Sequence, residues 1–350
     1  MCHNPVFLIQ CNATDTSGMA NNTLRVLSGD IGGTKTRLAV FDVAGAHLAG
    51  MAERSYPSRD YAALNDIIQD FLGAGDMRPD AACFGVAGPV RNDVVDVTNL
   101  PWRISAAEIA ARFHLRRVAL LNDLEANAWG LRALGEKDFR TLNTGVENPA
   151  GNAAIIAAGT GLGEAGLFRD GERYRPFATE GGHTGFSPGS ELEIELLRFL
   201  LARYGHVSWE RLVSGPGLVN IHDFLVHYRK HAVAGWLRDE MQGGDPAAAI
   251  SRAAQSGRDA LCMEALELFV RLYGVEAGNL ALKIMASGGV YVGGGIAPKI
   301  LPQLESGAFL AAFSAKGRMR GLLERMPVRV ILNDRTALYG PAVFAAMGVS

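Results

Sequence analysis

Cysteine is scarce in these 350 residues, and the four present (Cys2, Cys11, Cys83, Cys262) stand far apart. There is no C-x-x-C pair and no Cys/His group at zinc spacing, which excludes a disulfide framework and a structural zinc site and points to a reducing cytoplasm. Long hydrophobic runs are missing as well. None approaches the ~18 residues of a membrane span, and Val6 to Ile9 is too short, and lacks the basic flank, for a secretion signal. Charge of one sign is also absent: 34 Lys and Arg against 36 Asp and Glu leave a formal net charge of -2. Nucleic-acid binding rests on neutralising many phosphates, so nucleic acid is excluded as the main partner, although a local anion site is not. What remains, 48% hydrophobic and 20% charged residues, suits a soluble enzyme of about two domains, each with its own core.

Residues 1–22 are polar and aperiodic, contain a second methionine at Met19, and read as an extension outside the fold. From Leu24 short apolar blocks punctuated by Gly and Asp predict three strands in succession. A helical period follows over Tyr61 to Leu72, then a strand at Ala81 to Val86, a helix from Ser105 to Phe113 that Ser105 can cap, and a strand at Arg117 to Leu121. Strands alternating with helices indicate an α/β domain. A second copy of the opening then begins, with strands at Ala153 to Ala157 and Glu164 to Phe168 around another glycine turn. Helices are expected at Glu191 to Tyr204, Gly217 to Val226, Ala247 to Ser256 and Arg258 to Met285, strands at Gly289 to Val292 and Val328 to Leu332, and a last helix near Ala337 to Ala346. Two hairpins of one plan predict two related α/β domains facing each other. The expected division is a small domain of 23–133 with 335–350 and a large one of 134–334.

The first hairpin turn, S-G-D-I-G-G-T-K-T from Ser28 to Thr36, holds more chemistry than a turn requires. Glycines let backbone N–H groups approach an anion, and a hydroxyl of Thr34 or Thr36 adds a donor. Asp30 would repel phosphate unless a cation stood between them, which implies Mg²⁺ held mainly through water. The alternative is a decorated hairpin. Gly159, Thr160 and Gly161 repeat the pattern without an acid, while the G-x-G-x-x-G from Gly161 to Gly166 leads into a strand and fails as a dinucleotide fingerprint. Asp123 follows a strand and precedes a helix, so it is either an N-cap or a reacting group at a strand's carboxyl end. Glu180, His183 and, further on, Glu210 lack a third ligand at metal spacing and suit the hydroxyl-dense surface of a sugar, with an ordinary surface loop as the alternative. S-G-P-G at 214–217 and the glycines at 293–295 are further turns.

In order, G-D-I-G-G-T, L-N-D, G-T-G-L-G, E-G-G-H, S-G-P-G-L and G-G-V-Y-V-G-G-G-I-A-P resemble the motif series of bacterial ATP-dependent glucokinases, in the hexokinase/actin-like ATPase superfamily. The likeness runs from about Leu24 to the C-terminus. It implies a duplicated ribonuclease-H-like fold with an interdomain cleft, and phosphorylation of glucose on its 6-hydroxyl, feeding glycolysis in the cytoplasm. By this resemblance Gly29, Asp30, Ile31, Gly32, Gly33, Thr34, Gly159, Thr160, Gly294 and Gly295 would meet ATP, with Mg²⁺ at Asp30 through water. Asn122, Asp123, Glu180, His183 and Glu210 would hold glucose, with Asp123 as the base. The related branch with a cysteine-rich zinc motif is not matched, so no zinc is expected; a homodimer is common in the family. A sugar sensor without chemistry would need neither Asp30 nor Asp123, and a carboxylate substrate would be repelled by Glu180 and Glu210.

Overall fold

The computed structural model describes residues 23–44, 47–73, 77–97 and 99–348; the expected extension at 1–22 lies outside the described residues. The chain forms two compact units, one running through Asp138 with Pro176–Ala178 and the chain from Asn333, the other made of Phe139–Arg175 and Thr179–Leu332. In chain order the first unit contains β1 (Leu24–Ile31), β2 (Lys35–Ala44), β3 (His47–Pro57), α1 (Leu64–Gly73), β4 (Ala81–Val86), β5 (Val94–Asp96), β6 (Arg103–Ser105), α2 (Ala106–Phe113), β7 (Arg117–Asn122) and α3 (Asp123–Gly130). The second contains β8 (Phe139–Asn143), β9 (Ala153–Ala158), β10 (Leu162–Asp170), β11 (Arg173–Thr179), α4 (Glu191–Tyr204), α5 (Gly215–Tyr228), α6 (Gly235–Gln242), α7 (Pro246–Gln255), α8 (Ala260–Ile284), β12 (Gly289–Gly293), α9 (Leu301–Glu305), α10 (Ala308–Ser314), α11 (Arg320–Leu323) and β13 (Val328–Ile331). The last helix, α12 (Thr336–Ala346), returns to the first unit.

The first sheet has the order β3-β2-β1-β4-β7. Strands β1, β2 and β3 form an antiparallel meander, while β1, β4 and β7 run parallel. Side chains alternate faces along a strand, and here both faces are covered. Leu27, Ile31, Leu38 and Phe84 pack on α1 and α2, whereas Val26, Ala39, Phe41, Cys83 and Leu121 pack on α3 and α12. That is why A-A-C-F-G-V in β4 is buried at every position. Register places Asp30 beside Gly85, and Val86 beside Asn122. Asp30 and Asp123 therefore stand at the same carboxyl edge, two strand spacings of about 4.8 Å apart in the sheet.

In the second unit the order is β11-β10-β9-β12-β13-β8. Its first five strands repeat the order of the first sheet, and β8 is added antiparallel to β13 at the edge. The fully buried face of α8, including Cys262, Phe269 and Tyr273, fills the core beneath this sheet. Cys83 and Cys262 are buried free thiols. Among the described residues, no helix is long and apolar enough to cross a membrane.

Most expected elements stand within a few residues of their predicted bounds. Helix α1 begins at Leu64 rather than Tyr61, whose carbonyl instead accepts the Trp102 indole N–H at 3.2 Å. The third strand, expected to be short, runs for 11 residues along β2. Strands β5, β6 and β8 and helices α6 and α9 to α11 were not foreseen, being short or half-exposed.

Candidate functional site

In the first unit, the turn between β1 and β2 is closed by the Gly32 N–H donating to the Lys35 carbonyl at 3.1 Å. Ser58 braces it from outside: its hydroxyl donates to the Gly32 carbonyl at 2.7 Å and its N–H to the Thr34 carbonyl at 3.0 Å. No partner for the Gly33 and Thr34 N–H groups is found among the described residues, so these are the donors the turn can offer an anion. Of the two alternatives for the hydroxyl donor, Thr34 or Thr36, the structure leaves Thr34. Thr36 is fully buried, with Oγ1 2.9 Å from Ser58 Oγ, and only Thr34 is exposed. Gly29 and Ile31 also face the core, Gly29 against Phe84 and Leu38, so either can serve a ligand only through its backbone.

Asp30 is half-buried, and burial pushes its carboxyl above the usual carboxylate range, opposed by the charges of Arg37 and Lys35. No hydrogen bond to this carboxylate is found among the described residues. A desolvated acid without a donor at the mouth of an N–H-lined turn fits a hydrated Mg²⁺ that also binds phosphate. Among the described residues no three His, Cys, Asp or Glu side chains group as a metal cage would require.

Across the same edge, Asn122 ends β7 and caps α3: its Oδ1 accepts from the N–H groups of Leu124 at 2.9 Å and Glu125 at 3.4 Å. The N-cap reading of Asp123 is thus corrected by one position. Asp123 is the first helical residue, half-buried, with Oδ1 also 2.8 Å from the Leu124 nitrogen. Because Asn122 spends its carbonyl oxygen on the helix, its amide NH₂ is what it can offer a ligand.

In the second unit, β9 and β12 run parallel, with Ala157 beside Gly293, so the turns at Gly159 and Gly294 leave adjacent carboxyl ends. Gly294 has φ +81°, and a side chain there would strike the Ala158 carbonyl. The Gly159 N–H donates to the Gly161 carbonyl, and the Gly159 carbonyl accepts from Gly215 at the start of α5, both at 2.8 Å. Tyr273, fully buried on α8, ties the two strands together; its hydroxyl accepts from the Ala158 N–H and donates to the Gly293 carbonyl, each at 3.2 Å. Thr160 is exposed, and the space beside Gly295 is open.

The E-G-G-H segment forms a single 3₁₀ turn lying against β10. Side chains at its glycines would collide with the Glu164 carboxylate (from Gly181) and the Leu162 carbonyl (from Gly182), so the turn can seat only without them. Its main chain is already hydrogen-bonded, with the His183 N–H on the Glu180 carbonyl at 3.0 Å, the Thr184 hydroxyl on the Gly181 carbonyl at 2.7 Å and the His206 ring nitrogen 3.1 Å from the His183 carbonyl. The side chains of Glu180 and His183 are left exposed, with Oε2 3.9 Å from Nε2. The main-chain N–H of buried Trp209 donates to the Thr184 carbonyl at 3.0 Å and so places Glu210 next to this turn. Glu210 Oε2 accepts from the Leu162 N–H at 3.0 Å and lies against Gly161. The second unit thereby brings together Glu180, His183, Glu210 and the Gly159–Gly161 turn. Ser58, Tyr273 and Trp209 were not anticipated, because each acts through space on a segment distant in sequence.

A family model described as Glucokinase matches residues 27–347. A Nostoc sp. glucokinase is 44% identical over 338 residues, covering 92% of this chain and 98% of the relative. A Caulobacter sp. glucokinase is 39% identical, covering 91% and 94%. Among solved structures, a glucokinase from an Antarctic psychrotroph superposes with TM-score 0.81 at 29% identity, over 93% of this chain and 100% of that one. A ROK family glucokinase from Streptomyces griseus shares the fold alone, with TM-score 0.60 at 22% identity over 93% and 100%. On the family model and these identities, the chain belongs to the glucokinase family, enzymes that phosphorylate glucose with ATP.

Proposed function

We propose that this chain transfers the γ-phosphoryl group of ATP to the 6-hydroxyl of glucose with Asp123 as general base. As the hydroxyl oxygen forms its bond to the γ-phosphorus, its proton passes to the Asp123 carboxylate and the bond to the departing ADP oxygen breaks. The observation that carries this is the position of Asp123, at the carboxyl end of parallel strand β7 with the helix cap already supplied by Asn122. The Asn122 amide, Glu180, His183 and Glu210 would hold the sugar hydroxyls. Gly33 and Thr34 would donate N–H groups to phosphate, and Gly159, Thr160, Gly294 and Gly295 would line the nucleotide. Mg²⁺, when bound, would be held by Asp30 through water and would neutralise phosphate charge.

A duplicated ribonuclease-H-like fold is supported by the shared order of the first five strands in each sheet. We further propose a homodimer acting in cytoplasmic glycolysis; a monomer mass in light scattering would contradict the first part. The experiment for the whole reading is coupled ADP release against a panel of hexoses. Turnover with glucose that disappears in excess chelator is expected; inertness toward glucose, or indifference to chelator, would overturn it.

A further inference from the structure

Glu164 on β10 and Glu276 on α8 are 1% and 0% exposed, and the sugar and nucleotide groups above use neither. Their carboxyl groups interact with each other, yet counted as two carboxylates they leave Glu164 Oε1 without a hydrogen-bond partner among the described residues. Glu276 accepts from the Asn279 amide at 2.7 Å and from Lys283 at 3.4 Å. The Lys316 ammonium faces the same group but is bonded to the Val275 carbonyl at 2.9 Å and Asn279 Oδ1 at 2.6 Å. Tyr273 stands near Glu164, and its hydroxyl is spent on Ala158 and Gly293. Of the two lysines that face the buried acids, only Lys283, itself about half exposed, is ion-paired, and its partner is Glu276. A hydrogen bond between two carboxyl groups requires a proton on one of them, and Glu164, with an oxygen that has no other partner, has room to carry it.

We infer that Glu164 and Glu276 share one proton in the folded protein, and that this pair is the seat of the Glu180–His183 turn, making Glu164 a positioning residue for glucose binding. The inference rests on the reading of Glu180 and His183 as sugar ligands. Glu164 meets the turn twice. Its Oε2 occupies the space where a side chain at Gly181 would lie, and its carbonyl accepts the Thr179 hydroxyl at 2.9 Å, whose oxygen in turn accepts the Gly181 N–H at 3.3 Å. Removal of the shared proton leaves two buried like charges in contact, and the displaced Glu164 carboxylate pushes on Gly181. Burial, then the Glu276 charge, pushes Glu164 up to about 8. Folded Glu164 therefore holds its proton more tightly than the unfolded chain does. Its contribution to stability is complete below the ordinary glutamate range and is lost as pH rises through about 8.

The test compares wild type with Glu164→Gln from about pH 6 to about pH 9.5, reading glucose KM, ATP KM, kcat and melting temperature. The amide keeps the shape and donates permanently toward Glu276. Wild type should show glucose KM rising several-fold on the alkaline side, with ATP KM little changed, and a falling melting temperature. Glu164→Gln should keep a low, flat glucose KM and lose less melting temperature over the same range; Glu276→Gln, with the amide on the other side, is the independent second variant. An alkaline fall in melting temperature equal to wild type in both variants overturns the shared proton. A flattened melting profile with an unaltered KM profile overturns the positioning role. His183→Ala, measured alongside, separates the two readings: an unchanged glucose KM there refutes the sugar site, while the melting profiles still decide the proton.

Discussion

His183 presents an exposed ring from a turn whose main chain is already hydrogen-bonded, so truncation of the side chain removes a ligand group and leaves the turn in place. His183→Ala should raise glucose KM by about tenfold or more, the equivalent of roughly one hydrogen bond, with ATP KM and melting temperature nearly unchanged. Equal rises in both KM values would show that the segment shapes the fold instead. Gly182→Ala is the opposite case, since its methyl group meets the Leu162 carbonyl and the turn itself must move. Glucose KM and melting temperature should suffer together there, and a variant normal in both would refute the seating of the turn on β10. At this scale Asp30, Asp123, Glu180 and His183 stood out as candidates because their types are unusual beside glycines or at a strand end, whereas Glu210, in S-W-E-R-L, carries no such local signal and was named through the resemblance. The one-residue shift of the cap was not, since Asn and Asp both cap well and only the backbone distinguishes them. Glu164 passed unremarked within a weak glycine pattern; its partner lies on another element and leaves no local trace.

Elements buried on two faces were the easiest to read. Strand β4 is apolar throughout, and α2 and α4 start where Ser105 and Ser190 accept the N–H groups of Glu108 and Glu193. Strand β8 was missed because F-R-T-L-N is half-exposed at a sheet edge and carries no clean alternation. The brace on the β1–β2 turn was likewise hidden, Ser58 being 26 residues from Gly32. Ser58→Ala removes hydrogen bonds from a fully buried hydroxyl shared with Thr36, which should cost about 1 to 2 kcal/mol of stability. The loosened turn should raise ATP KM more than glucose KM. Steady-state kinetics with thermal melts checks this, and an unaffected ATP KM would remove the turn from nucleotide binding.

For the molecule as a whole, the order of the first five strands recurs in both sheets, and the positions assigned to phosphate and to proton transfer collect at carboxyl ends of parallel strands: Asp30 and Asp123 in one unit, the turns at Gly159 and Gly294 in the other. Phosphoryl transfer asks a protein chiefly for position and neutralised charge, so the only proton-transfer task assigned to this chain is the one given to Asp123. Asp123→Asn is its most direct test. The variant keeps the side chain's size, Asn122 still caps α3, and the melting temperature should therefore stay near wild type. What is lost is a proton acceptor, whose contribution is typically ~10²- to 10⁴-fold in rate. The account predicts a folded variant that binds ATP and glucose with kcat lower by at least about a hundredfold; a folded variant with near-normal kcat would contradict it.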